Sequence, residues 1–339
     1  MNHYKPIFLL FIFIFGGCNL FKKTDIIDDD ILIIDPNENK FLIHPKNNSN
    51  INTTYVLFEW KQQQNAESYF IEACINSDFT DCILNENSES LVFVKKTGFE
   101  WSSTYYWRVK PQYSNETVGD WIDSSYFHIS EKLGNAYSIL TSENLTDEIT
   151  LYGSFFNFYS AAIDASGNEI WNSGNSQFVF YTSNYWGQFF GSQYNASLEN
   201  NLPGIEFNSK NEVIWQEPNE HFLHHEFIQL PNGNYLGIVE EAQYGPIPYD
   251  GCDCSWTPLF QGIGYMADGI TPEFKWVGDR LVEWDGDTGQ ELWSWSVFDN
   301  YNQNDYDKDG GTWTEAYSAN RYDWTHSNAF VFDENDNSI

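Results

Sequence analysis

Positive charge is scarce in this sequence. Over 339 residues, 16 Lys and Arg stand against 49 Asp and Glu, a formal net charge of −33. A chain so acidic is repelled by nucleic-acid phosphates and by anionic lipid headgroups, which excludes both as primary partners. Methionine is nearly absent, with two residues, and charged residues of both signs make up only 19%. Long apolar runs are missing too. The nine residues 7–15 form such a run, well short of the about 20 needed to span the hydrocarbon core of a bilayer. Aromatic residues are abundant instead, at 18%, with 14 Trp and 21 Tyr. That abundance excludes a disordered acidic tail, which is poor in aromatics. It suits a β protein, because flat rings and β-branched side chains pack well on pleated surfaces. At this length the chain accommodates two ordinary domains.

The N-terminus reads as an export signal. Lys5 precedes the run at 7–15, and Gly16-Gly17-Cys18 follows it. A short basic start, a short apolar stretch and small residues form a secretory leader. Cys18 after two glycines is similar to a bacterial lipobox, in which the thiol is lipidated and becomes the mature N-terminus. Phe15 is an unusual residue for that motif, and the alternative is ordinary cleavage that leaves a free Cys18. The expected organisation is a lipoprotein signal at 1–17, an acidic tether at 18–40, a first domain at 41–130 and a second at 136–339. The expected location is outside the cytoplasm on the bacterial envelope, touching the membrane only through the lipid. Export permits disulfides. The spacing of Cys74 and Cys82 suits a bridge closing a hairpin or strand-end loop. Cys252 and Cys254 sit in a Gly- and Asp-containing loop, open to a disulfide, two separate thiols or a metal site.

Residues 41–130 alternate in the manner of short strands. Val56-Leu57-Phe58-Glu59-Trp60 and Thr104-Tyr105-Tyr106-Trp107-Arg108-Val109 are the clearest, with turn residues between. The pattern resembles a fibronectin type III domain, with Trp60 in its second strand, Tyr105 to Val109 in its sixth and Trp121 before its last. From about residue 136 one hairpin form recurs: a strand, a tight turn of Asp, Asn, Ser or Gly, and a strand ending in Trp. It ends at Trp171, Trp215 and Trp293, separated by 44 and 78 positions. Glycine or asparagine at the turn supplies positive φ. The shorter interval is what one four-stranded propeller blade of about 40–45 residues consumes. The expected fold is therefore all-β: a fibronectin type III-like sandwich followed by a partial propeller. The sequence stops just after a turn at 334–337, so a fragment of a longer protein is expected.

Two stretches carry candidate chemistry, Leu223-His224-His225-Glu226-Phe227 and Asp323-Trp324-Thr325-His326-Ser327-Asn328. Counted back from the apolar residue before each turn, Leu230 and Phe332, His224 and His326 fall at the same position. If both segments are innermost strands, alternation points His224 with Glu226, and His326 with Asn328, toward a central channel. An imidazole beside a carboxylate or amide can bind an anion, donate a proton or attack an electrophile. The bland alternative is hydrogen bonding to nearby loops. Asp305-Tyr306-Asp307-Lys308-Asp309-Gly310 matches the start of a calcium loop, with Glu315 one position short of the closing acid. Asp305, Asp307 and Asp309 are thus candidate calcium ligands, against a solvated acidic loop.

Residues 220–239, with His224-His225-Glu226 and Leu230-Pro231-Asn232-Gly233-Asn234, resemble the bacterial arylsulfate sulfotransferase family. So does the Asp-Trp-x-His-x-Asn stretch at 323–328, and the likeness covers roughly 136–339. Where the family has His-His-Asp, this chain has Glu226. The resemblance implies a six-bladed propeller that moves a sulfuryl group from a phenolic sulfate ester to a phenol through a sulfated histidine. No cofactor or resident metal is implied. His326 and Asn328 would bind sulfuryl oxygens, with His224 or His225 assisting, and Glu226 and Trp324 would contact substrate. The family's arginine and nucleophilic histidine are expected downstream, so these residues alone are expected to be inactive. The alternative function is a surface-anchored carbohydrate- or protein-binding lipoprotein with a non-catalytic propeller.

Overall fold

The computed structural model describes residues 40–114, 117–134, 149–198, 200–218, 221–251, 256–306 and 312–339. The expected leader, Cys18, most of the expected tether, Cys252, Cys254, Asp307 and Asp309 lie outside the described residues. The fold is all-β, with five sheets, three short α-helices and one 3-10 turn (Gly174–Ser176) among the described residues. No described helix is long and apolar enough to cross a membrane.

Strands β1 (Leu42–His44), β2 (Ser49–Ile51), β3 (Val56–Trp60), β4 (Ala66–Cys74), β5 (Cys82–Ser88), β6 (Val92–Lys95), β7 (Thr104–Tyr113) and β8 (Asp123–Ile129) build two sheets. Their orders are β1-β3-β6 and β2-β8-β7-β4-β5. Alternation sets what is buried: β3 turns Val56, Phe58 and Trp60 inward, and β7 turns Tyr105, Trp107 and Val109 inward. Phe58 meets Trp107 edge-on with ring centres 5.1 Å apart, and Trp60 meets Tyr69 at 5.5 Å. On the outer face, the Arg108 guanidinium lies between Phe79 and Trp121, 3.9 and 4.0 Å from their ring centres, while pairing with Glu72. Trp121 thus serves as one wall of a cation–π stack. The Cys74–Cys82 disulfide is formed and ties β4 to β5.

The second region begins with β9 (Ile149–Ser154), β10 (Tyr159–Asp164) and β11 (Glu169–Asn172), a three-stranded sheet. A four-stranded and a five-stranded sheet follow, each built on four strands ordered as in the chain. One is β12 (Phe178–Ser183), β13 (Phe189–Gln193), β14 (Gly204–Phe207) and β15 (Val213–Gln216). The other is β16 (Leu223–Gln229), β17 (Tyr235–Pro246), β18 (Pro272–Trp284) and β19 (Glu291–Ser296), and β12 lies beside β16. The recurring tryptophans connect neighbouring sheets. Trp171 donates its indole N–H to the Ser209 carbonyl at 2.7 Å, and Trp215 stacks on Tyr235 at 4.0 Å. Buried Glu206 adds a polar tie, accepting from Tyr235 Oη at 2.5 Å and Gln188 Nε2 at 2.6 Å. Trp293 is partly exposed and lines a cavity of about 530 Å³ with Leu230 and Phe332.

Strands β17 and β18 run past the rest of their sheet as a long hairpin whose far end carries α1 (Thr257–Gly262). After β19 come α2 (Val297–Asn300), α3 (Thr312–Ala319) and the two-residue β20 (Tyr322–Asp323). Trp276, Phe260, Phe274, Trp313 and Tyr322 form a separate aromatic core there, with Trp313 and Tyr322 stacked at 4.1 Å. Inside the sheets the strands approach closely where glycine permits it. A Cβ at Gly191 would stand 1.9 Å from the Val179 carbonyl oxygen. Gly191→Ala is therefore expected to lower unfolding free energy by about 2–3 kcal/mol, read as a reduced urea midpoint.

Candidate functional site

The site forms where β16 meets the segment that follows β20. Alternation does not survive on β16. Leu223 pairs with Val239 and Phe227 with Gly237, so β16 advances four residues while β17 advances two. The surplus is a bulge holding His224, His225 and Glu226, with His225 in the left-handed region at φ +64°. Bulges re-aim side chains, and a bulky residue at positive φ marks local strain, both frequent beside functional sites. The adjacent residues His224 and His225 consequently bring their rings to one place, 4.9 Å apart. This replaces the expected pairing of His224 with Glu226, which rested on unbroken alternation.

His326 reaches the same place by another route. Strand β20 runs parallel to β18, pairing Tyr322 with Trp276 and Asp323 with Val277. The chain continues along β18: Trp324 N donates to Val277 O at 2.8 Å, and Asp279 N donates to Thr325 Oγ1 at 3.0 Å. Ser327 then donates its N–H and its hydroxyl to Asp279 Oδ2 at 2.8 and 2.9 Å. The second expected strand is absent: residues 324–332 have no ladder partner, and side-chain acceptors hold the segment at Thr325 and Ser327. His326 Nε2 lies 3.0 Å from His225 Nε2, and its ring centre is 5.5 Å from that of His224.

Each outer nitrogen is tied back. His326 Nδ1 is 3.0 Å from Asp323 Oδ2, and His224 Nε2 is 3.4 Å from Asp279 Oδ1. His224 is buried, and its Nδ1 has no hydrogen-bond partner. His225 and His326 are exposed. With Asp323 accepting from Nδ1, neutral His326 presents a lone pair at Nε2, which accepts the His225 Nε2–H. Burial, then the charges His224 and His326 would carry, hold His225 below the ordinary imidazole pKa. Burial alone would raise Asp279, but hydrogen bonds from His224 and Ser327 outweigh it and keep that carboxyl below its ordinary value. Burial raises Glu226.

The structure thus unites His224, His225 and His326. Asn328 is exposed two residues further on. Trp324 does not join the histidines: its ring packs on Trp276 and Phe298, with centres 5.3 and 5.4 Å away. Its role here is core packing, since the parallel run along β18 turns it toward the aromatic core. The ring nearest His224 from the aromatic set is Phe222 at 6.2 Å, itself 6.1 Å from Phe155. Asp305 accepts the Trp324 indole N–H on its backbone carbonyl at 3.3 Å. His221 pairs with buried Glu217, and Arg321 with Glu240, so both are engaged outside the histidine group. Sequence reasoning missed Asp279. The available signal was a carboxylate at a buried position of a strand otherwise lined by Trp276, Val277 and Val282.

No known protein-family profile and no curated protein matches the chain. Among solved structures, an α-L-rhamnosidase from Dictyoglumus thermophilum aligns at 14% identity and TM-score 0.23, over 35% of this chain. The chain spans 15% of that enzyme's length. A central fibronectin-III array of RIM-binding protein aligns at 10% identity and TM-score 0.19, over 74% of this chain and 96% of the array. Both likenesses are too slight to carry an argument about function.

Asp279 makes the site sensitive to acid. Its folded pKa lies below its unfolded one, so its contribution is complete above the unfolded value and disappears as pH falls through the folded value. Asp279→Asn is expected to cost about 1–3 kcal/mol near neutrality. In urea unfolding, the gap between the two proteins should narrow as pH falls below the ordinary carboxylate range.

Proposed function

We propose that this chain is the donor-binding portion of an arylsulfate sulfotransferase, with His224, His225 and His326 receiving the sulfuryl group of a phenolic sulfate ester. The observation that carries this reading is the convergence of three imidazoles, two from a bulge on β16 and one from the segment laid along β18. The resemblance of residues 220–239 and 323–328 to that family supplies the reaction. In it, the sulfur–oxygen bond to the donor aryl group breaks as a sulfur–nitrogen bond to a histidine forms, and the phenolate leaves and is protonated. An acceptor phenol then attacks sulfur, releases its proton, and frees the imidazole.

Such a transfer spreads negative charge over the sulfuryl oxygens, and hydrogen-bond donors and positive charge set in place beforehand stabilise it. Imidazolium groups supply both. Phe222 and Phe155 supply an aryl face beside His224. Six blades, the lipid anchor at Cys18 and the sandwich as a spacer belong to the same proposal. The acidity of the chain confines favourable anion contacts to such local clusters.

Binding of 4-nitrophenyl sulfate to the chelator-treated chain tests the reading by calorimetry. Because His225 titrates below the ordinary imidazole value, affinity should rise as pH falls, by about tenfold from pH 8 to pH 5. His225→Ala and His326→Ala should each weaken binding at pH 5 by about tenfold. Binding that ignores pH and both substitutions would point instead to a carbohydrate- or protein-binding scaffold.

A further inference from the structure

The three histidines have a property that anion binding does not require. One ring nitrogen from each of His224, His225 and His326 lies within 4.8 Å of the other two. Two of the rings are oriented by carboxylates on the opposite nitrogen, His224 by Asp279 and His326 by Asp323. Imidazoles that ligate a metal almost always donate their other ring N–H in this way, which fixes the tautomer and raises the basicity of the ligating nitrogen. On His224 the nitrogen left over, Nδ1, is buried and has no hydrogen-bond partner. On His326 the nitrogen left over is Nε2, and it faces His225 Nε2 at 3.0 Å.

We propose that His224 Nδ1, His225 Nε2 and His326 Nε2 form a three-imidazole site for a zinc-like divalent ion, with Asp279 and Asp323 as positioning residues. Neutral imidazole is a borderline ligand suited to zinc, copper and nickel rather than calcium or magnesium. Nitrogen–zinc bonds of about 2.0–2.1 Å at tetrahedral angles separate ligating nitrogens by roughly 3.4 Å. The His225–His326 pair therefore needs to open by only a few tenths of an ångström from its present 3.0 Å. Both residues are exposed, so their rings can make that adjustment without disturbing the core. The surrounding charge favours a cation: two carboxylates stand behind the imidazoles in a chain of net charge −33.

Three protein ligands would leave one tetrahedral position open. That is the arrangement of catalytic rather than structural zinc sites, in which the fourth ligand is water or a substrate oxygen. The inference needs only the geometry of the site and is independent of sulfate transfer, since a zinc titration contains no sulfate ester.

The test uses the chain without an affinity tag, stripped with chelator, competing for Zn²⁺ against a chromophoric chelator at pH 7.5. One equivalent should bind with Kd at or below about 1 μM, and bound zinc should raise Tm. His326→Ala should weaken binding by at least about 100-fold, and Asp323→Asn by about tenfold. Both positions are exposed, and the metal-free Tm of each variant reports that it is folded. His128→Ala, on β8 of the sandwich, and the double substitution Cys252→Ser/Cys254→Ser should leave the affinity unchanged. Kd weaker than about 100 μM, unchanged affinity in His326→Ala, or loss of binding in the cysteine variant would each overturn the proposal.

Discussion

The carboxylate of Asp279 joins the two stretches of chain that carry the histidines. It lies on β18 at 3% exposure, where an isolated charge would be costly. Its partners compensate: Ser327 donates twice to one oxygen, and His224 approaches the other. Without this carboxylate, β20, Trp324 and Thr325 would still be held along β18, but Ser327, just beyond His326, would lose both of its acceptor contacts. The environment of His224 and the anchoring of the segment just past His326 thus share one residue.

The sheets that support this arrangement are joined mainly through rings. In a chain with so few cations, ion pairs cannot knit one sheet to the next, and the recurring tryptophans take that part. Trp171 binds the turn after β14, while Trp215 lies against Tyr235 and Phe227 of the following sheet. The buried acids Glu169 and Glu206 act as hydrogen-bond acceptors for tyrosine hydroxyls rather than as partners of lysine or arginine. Aromatic burial also explains why the long β17–β18 hairpin can extend beyond the rest of its sheet. Trp276, Trp313 and Tyr322 give its far end a core of its own, and that core fixes where β20 begins.

Much of this was legible in the sequence wherever a period of two persists. Val56 to Trp60 and Thr104 to Val109 alternate without interruption, and their inward residues follow directly. The tryptophan-ended hairpins likewise appear as β10–β11, β14–β15 and β18–β19. At the site the histidines were identifiable by type and by resemblance, but their arrangement was not. Alternation pairs His224 with Glu226; two surplus residues on β16 bring His224 and His225 together instead. A strand was expected around His326, yet Asp279 of β18 holds that segment through its backbone N–H and its carboxylate in place of a ladder. Trp324 was expected at the substrate and packs into the aromatic core. Each difference comes from a contact between residues distant in sequence, to which a local pattern is blind.

One junction has a mechanical meaning. Residues 52–54 of the sandwich lie alongside β11. Thr54 N donates to Ile170 O, Asn172 N donates to Asn52 O, and Trp101 adds its indole N–H to Glu169 O. The edge of the first sheet is thereby covered, which also blocks strand addition by another chain. Several hydrogen bonds spaced along an edge resist rotation in a way that a single linker cannot. A pull applied at residue 40 would therefore pass through the sandwich into the sheet of β9–β11 as through a welded lever, the two moving as one piece.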